Sequence, residues 1–219
     1  LFRSGKNMGV FKAVGYPEDV GEFYRLEEYE GYAWTAHGRY PTNTPGWWGG
    51  AHPFALLSTT VVHNGEISSY DANRRFIEMY GYNCSLLTDT EVITYIIDFL
   101  VRRKGLTLEE AAGVIAAPFW STIEQMPEAQ RERLAYLRET FASLLITGPF
   151  SILLGFTGGM MALNDRLKLR SMVCAEKGEA VYFASEECAI RVMEPDVETL
   201  WAPRGGQAVV VRLNDGVTV

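Results

Sequence analysis

Residues 143–163 read SLLITGPFSILLGFTGGMMAL, an uncharged run of about the length that crosses a membrane. Its punctuation argues against a spanning helix. Gly148-Pro149 breaks helical continuity early, hydroxyl side chains interrupt the apolar character, and Thr157-Gly158-Gly159 sets a turn between two short apolar runs. The stretch reads as a helix end, a turn and two buried strands, Ser151–Phe156 and Met160–Asn164. Three further strand-like runs follow, Ser171–Ala175, Ala180–Ala184 and Gln207–Leu213, with Lys177-Gly178 at one of the turns.

Upstream the pattern differs. Thr88-Asp89-Thr90-Glu91 has the spacing of a capping box ahead of Val92, Ile93, Ile96, Ile97 and Leu100, and Thr107-Leu108-Glu109-Glu110 repeats the device. Tyr70–Tyr80 and Gln125–Phe141 read as helices too, and Pro17–Arg25 as a short helix opened by its proline. Strand character returns before these helices, in Met8–Val14, Tyr32–His37 and a buried strand over Phe54–His63 that ends at Asn64-Gly65. Tyr40–Pro53, rich in proline and glycine, is a long loop. Strands, then helices, then strands imply α+β layers rather than alternating βαβ units. No linker or repeat divides the chain, so residues 1–219 are expected to form one domain.

Twenty basic against 27 acidic residues leave a formal charge of −7, which argues against a nucleic-acid or anionic-membrane partner. Cys84, Cys174 and Cys188 are sparse and odd in number, as free thiols in a reducing, cytoplasmic setting would be, and no secretory leader opens the chain.

Chemistry-bearing side chains gather between positions 37 and 66. In His37-Gly38-Arg39-Tyr40-Pro41-Thr42, Arg39 is suited to holding a carboxylate through two parallel hydrogen bonds, or to an ordinary ion pair. In His63-Asn64-Gly65-Glu66, an amide next to a glycine N–H supplies two donors that can converge on one oxyanion, or make a plain Asn-Gly turn. Asp89, behind the Thr88 cap, is either a ligand group or a carboxylate favoured by the helix N-terminus. The histidines at 37, 52 and 63 lie 15 and 11 residues apart, spacings unlike those of paired zinc ligands, so no metal is expected and His52-Pro53 is read as a brace for the loop.

Taken in order, His37-Gly38-Arg39-Tyr40-Pro41-Thr42-Asn43-Thr44, Ala51-His52-Pro53-Phe54, His63-Asn64-Gly65-Glu66-Ile67 and Thr88-Asp89-Thr90-Glu91 resemble the successive motifs of class II glutamine amidotransferases. The loop bearing Trp47-Trp48 is most similar to the glutamate synthase branch, in its separately encoded archaeal form; Lys6–Gly15, Leu163–Arg170 and Ala184-Ser185-Glu186 resemble it as well. The resemblance implies an N-terminal-nucleophile fold, a four-layer αββα sandwich, and hydrolysis of L-glutamine to glutamate and ammonia through a thioester. It implies that Arg39 binds the α-carboxylate, with Thr42 a further candidate, that Asp89 binds the α-ammonium, and that Asn64 and Gly65 stabilise the oxyanion. Ammonia would pass to a synthase partner that carries any flavin or iron–sulfur group; with neither a cluster-type cysteine spacing nor GxGxxG, no cofactor is expected in this domain.

One departure stands out. The family attacks with a cysteine at the mature N-terminus, whereas residue 1 is Leu1 and the first cysteine is Cys84. The expectation is a domain lacking its opening strands, dependent on a missing N-terminal segment and inactive as residues 1–219. Two alternatives remain: a non-catalytic module that keeps the glutamine pocket, and an amidotransferase domain serving a phosphoribosyl or sugar-phosphate acceptor.

Overall fold

The computed structural model describes residues 8–40, 46–213 and 216–218 of the 219. Pro17–Tyr24 forms α1, with Pro17 in the first turn, where its missing N–H has no partner to lose. Phe54–Leu56 (β1) and Thr59–Gly65 (β2) pair as an antiparallel hairpin. The single strand expected over Phe54–His63 is therefore two, because Leu57 adopts a φ of 55° and reverses the chain. Tyr70–Met79 is α2. Asp89–Asp98 is α3, which widens into a π turn over Phe99–Arg103. Leu108–Ile115 (α4), Trp120–Ile123 (α5) and Glu128–Thr140 (α6) follow. The uncharged run then yields Phe150–Phe156 (β3) and Gly159–Asn164 (β4), and the chain continues through Val173–Lys177 (β5) and Ala180–Ala184 (β6). Glu187–Met193 (α7), Thr199–Trp201 (β7), Val209–Arg212 (β8) and Gly216–Thr218 (β9) complete it; α5, α7, β7 and β9 are not among the elements expected from the sequence.

The two expected caps differ. Thr107 makes the full reciprocal box: its hydroxyl accepts from the Glu110 N–H and the Glu110 carboxylate accepts from the Thr107 N–H. Thr88 accepts from the Glu91 N–H, but Glu91 turns away to receive the N–H groups of Ser85 and Leu86. The buried Glu91 carboxylate thereby satisfies the loop that delivers the chain to α3.

Among the described residues the strands form two antiparallel sheets, one ordered β1-β2-β3-β4-β8-β9 and one ordered β6-β5-β7. Strand alternation splits the large sheet into two faces. Val61, His63, Ile152, Leu154, Met161 and Leu163 face the helices, where they meet Ile77, Ile93, Ile96, Leu100, Ile115 and Leu137 in the main core. Each such aliphatic side chain contributes about 1.5–3 kcal/mol on full burial. Leu153 and Ala162 face the other way, against Cys174, Phe183 and Trp201 of the small sheet. With α7 packed on β6, the layers run helices, sheet, sheet, helix, the expected αββα order. No described helix is long and apolar enough to cross a membrane.

Two expected strands are not strands. Met8–Val14 joins no described sheet; side chains fasten it instead, Lys12 donating to the Gly49 carbonyl and Tyr24 to the Lys12 carbonyl, with Phe11 edge-on against Tyr24 and Tyr29. Tyr32–His37 likewise runs outside the ladders, its Tyr32 hydroxyl accepting from Gly158 at the β3–β4 turn. Apolar alternation brings backbone pairing in neither: aromatic contacts hold the first stretch, and Tyr32 and Trp34 of the second are about half exposed.

Candidate active site

The first turn of α3 abuts the C-terminal end of β2. His63, 3% exposed on the helix-facing side of β2, places Nδ1 3.5 Å from Asp89 Oδ1 and 3.4 Å from Thr90 Oγ1. The Thr90 hydroxyl donates to Asp89 Oδ1 at 3.3 Å, and the Ile67 N–H donates to Asp89 Oδ2 at 3.4 Å. His52 Nε2 lies 2.9 Å from Thr90 Oγ1, and the His52 ring stands edge-on to His37 at 4.4 Å and to Phe54 at 5.5 Å between centroids. All three histidines of the chain thus meet around Asp89 and Thr90.

The electrostatics follow from burial. Burial, then the neighbouring His63 and Arg39 charges, pushes His37 down to about 4. Burial, then His37, His63 and Arg39, pushes His52 down to about 2, against a smaller upward pull from Asp89. Both rings are therefore neutral at neutral pH. Burial acts to raise Asp89, but His63, the Ile67 N–H and Thr90 outweigh it and hold the carboxylate below its ordinary range.

The four site residues with described positions are not equivalent. Asp89 lies in the cluster. Arg39 lies beside it: its charge reaches both His37 and His52, and a methyl added to Gly50 would come within 3.6 Å of Arg39 Nη1. Gly65 closes β2 opposite Phe150 with a φ of 150°; a Cβ there would stand 2.1 Å from the Pro149 carbonyl oxygen and 2.9 Å from His63 Nε2, so glycine is obligatory. Asn64 points to the opposite face from His63, toward the small sheet, where its Nδ2 donates to Ser185 Oγ at 3.0 Å. Ser185 in turn accepts through its carbonyl from Ser171, and Ser171 through its carbonyl from Ser151, so a polar row lines the inter-sheet face behind Asn64. Thr42 lies outside the described residues.

Cys84 is buried, and burial followed by Glu91 pushes its thiol up to about 11; Cys174 is buried in β5, and burial pushes it to about 12. Cys188 is exposed on α7 and donates to Glu186. None shares a hydrogen bond with the histidine cluster. Among the described residues no group of three or more histidine, cysteine or acidic side chains is disposed to hold a metal ion.

Comparison with known proteins decides the family. Residues 4–219 match the family model for class-II glutamine amidotransferases. The chain belongs to that family. An uncharacterised protein of Archaeoglobus fulgidus is 52% identical over 211 residues, covering 96% of this chain and 56% of that protein. The amidophosphoribosyltransferase of Methanocaldococcus jannaschii is 24% identical over 196 residues, 88% of this chain and 36% of the enzyme. Among solved structures, glutamine phosphoribosylpyrophosphate amidotransferase of B. subtilis superposes with a TM-score of 0.56 at 18% identity, over 83% of this chain and 33% of that one, a likeness of fold. The class-II domain described here thus spans little more than half the length of the first of these relatives, and less of the others.

Thr90 and Ser185 escaped reading from the sequence as polar partners of the site. Thr90 was hidden inside a capping motif, and Ser185 is 121 residues from Asn64. The one available signal was the confinement of all three histidines to positions 37–63.

Proposed function

We propose that this class-II domain grips L-glutamine by its charged ends and that the intact enzyme hydrolyses its side-chain amide to L-glutamate and ammonia. The observation that carries the reading is that a cation and an anion, Arg39 and Asp89, flank one group of histidine rings at the end of β2. In this reading Arg39 binds the α-carboxylate, assisted by Thr42, and Asp89 binds the α-ammonium. The Asn64 amide and the Gly65 N–H receive the developing oxyanion; Nδ2 carries two hydrogens, so its bond to Ser185 leaves one for this role.

The chemistry balances without a cofactor in this domain. A thiolate adds to the amide carbon, ammonia leaves with the proton that the thiol gave up, and a thioester remains; water adds to it and the thiol departs. Cys84 and Cys174 are buried with raised thiols, and Cys188 faces an acidic neighbour, so the reading takes its nucleophile from outside these 219 residues. For the ammonia acceptor, the Trp47-Trp48 loop favours a synthase partner of the glutamate synthase type. A second reading, a phosphoribosyl acceptor, is favoured by the names of the M. jannaschii and B. subtilis relatives.

The test uses the complete gene product and follows ammonia and glutamate release, alone and with 2-oxoglutarate or phosphoribosyl pyrophosphate added. Arg39→Ala is expected mainly to raise KM. Asn64→Ala is expected mainly to lower kcat, by about 10²–10³ for one oxyanion donor. Equal effects on KM from both would overturn the assignment, and glutamine binding without turnover would identify a non-catalytic module.

A further inference from the structure

The proton positions in the histidine cluster are dictated by its partners. Among the buried side-chain atoms without a hydrogen-bond partner are His52 Nδ1 and His63 Nε2, the nitrogens that point away from Thr90 and Asp89. A buried N–H with no acceptor is costlier than a buried lone pair on a ring nitrogen that keeps its π contacts, and a lone pair facing a carboxylate is repelled. Both rings therefore carry their hydrogens on the inward nitrogens: Nε2 of His52, 2.9 Å from Thr90 Oγ1, and Nδ1 of His63, 3.5 Å from Asp89 Oδ1. With His52 donating to it, the Thr90 hydroxyl must spend its own hydrogen elsewhere, and the acceptor in line is Asp89 Oδ1 at 3.3 Å. Every donor in the chain His52, Thr90, His63 thus points toward Asp89. The Ile67 N–H secures the other carboxylate oxygen, and the Asp89 side chain still keeps 24% of its surface exposed.

We propose that His52, Thr90 and His63 are positioning residues for Asp89, holding its carboxylate in one orientation so that its exposed lone pairs meet the ammonium of the amino-acid substrate. The proposal rests on the reading of Asp89 as the ammonium site. It adds that recognition of the ammonium is set by groups that do not touch the substrate, and that the network donates toward Asp89 without competing for the cation. Asp89 accepts from the His63 and Thr90 side chains and from the Ile67 and Thr90 N–H groups, which fixes its orientation, and the 24% of its side chain that stays exposed is the surface left to meet the ligand.

The experiment compares two ligands on the complete gene product: L-glutamine, and 4-carbamoylbutanoate, which is glutamine without its α-ammonium. The preference is read as the ratio of kcat/KM for ammonia release from the two in competition, or as the ratio of calorimetric affinities if the protein proves not to turn over. Thr90→Val keeps the shape and removes the hydroxyl; it is expected to lower the preference for glutamine about tenfold, the order expected for a hydrogen bond to a charged group. Thr90→Ser should restore it. Asp89→Asn should abolish the preference, and Thr90→Val added to Asp89→Asn should have no further effect. A merely structural loss would weaken both ligands alike and leave the ratio intact. If Asp89→Asn abolishes the preference while Thr90→Val leaves it unchanged, the positioning role is wrong and the ammonium site stands. If Asp89→Asn leaves the preference unchanged, the ammonium site itself is wrong and the proposal falls with it. Should Thr90→Val fail to fold, His52→Asn, too short to reach Thr90, breaks the chain one bond further out; a preserved ratio there overturns the proposal in the same way.

Discussion

Acid should weaken this fold through His52. In the native state its pKa lies at about 2, against 6.5 for a free imidazole, because the ring is buried among His37, His63 and Arg39. As pH falls through 6.5 the unfolded chain takes up a proton on this ring and the native state does not, so the unfolded state gains stability relative to the native one. The loss is about 1.4 kcal/mol per pH unit once the unfolded ring is charged, or about 2 kcal/mol between pH 7 and pH 5. His37, depressed to about 4, should add a loss in the same window, somewhat smaller because the ring is only half-buried. Glu91, whose carboxyl is raised by burial, works in the opposite direction at the acid end, so total stability alone does not isolate the histidine. His52→Gln does: it can still donate to Thr90 and cannot titrate. Urea unfolding of the two proteins at pH 7, 6 and 5, extrapolated to water, should show wild type losing about 2 kcal/mol more than the variant over that range. Parallel stability curves would mean that His52 titrates in the fold as it does in the unfolded chain, and the buried neutral cluster would be wrong.

Gly65→Ala should cost several kcal/mol and abolish turnover, since its Cβ would stand 2.1 Å from the Pro149 carbonyl oxygen at a φ of 150°; a variant with unchanged urea midpoint and activity would contradict the geometry of the β2 end. Thr107→Ala, which opens the capping box of α4, should lower stability by about 1 kcal/mol, or about 2–4 °C in Tm, with KM for glutamine unchanged; Thr88→Ala should cost a similar amount and also raise KM, because α3 carries Asp89. Titration with an aromatic disulfide at pH 8 should modify Cys188 alone in the native protein and Cys84 and Cys174 only after unfolding, so rapid native labelling of all three would refute the burial described for β5 and for the approach to α3. Purified residues 1–219 should bind glutamine without releasing ammonia at an enzymatic rate; turnover that disappears on mutation of Cys84 would identify a nucleophile where the fold buries one.

Signals carried by neighbours in the chain were readable directly. The β3–β4 hairpin follows from two apolar runs about a Thr-Gly-Gly turn, and the starts of α3 and α4 follow from a threonine three residues ahead of a glutamate. These are interactions within four or five residues, so the sequence alone specifies both their partners and their spacing. Met8–Val14 and Tyr32–His37 show where that logic ends: each has the apolar pattern of a strand, but a strand exists only when another backbone is alongside, and here aromatic rings and a hydroxyl take that place. The site divides in the same way. Arg39, Asn64, Gly65 and Asp89 could be singled out by residue type and motif. That His52 meets Thr90 across 38 residues, that His63 turns Nδ1 to Asp89, and that Asn64 faces Ser185 on the other side of the sheet were decided by packing. Burial removes water as the competing partner, so each of these polar groups takes its bond from whichever element the core brings next to it.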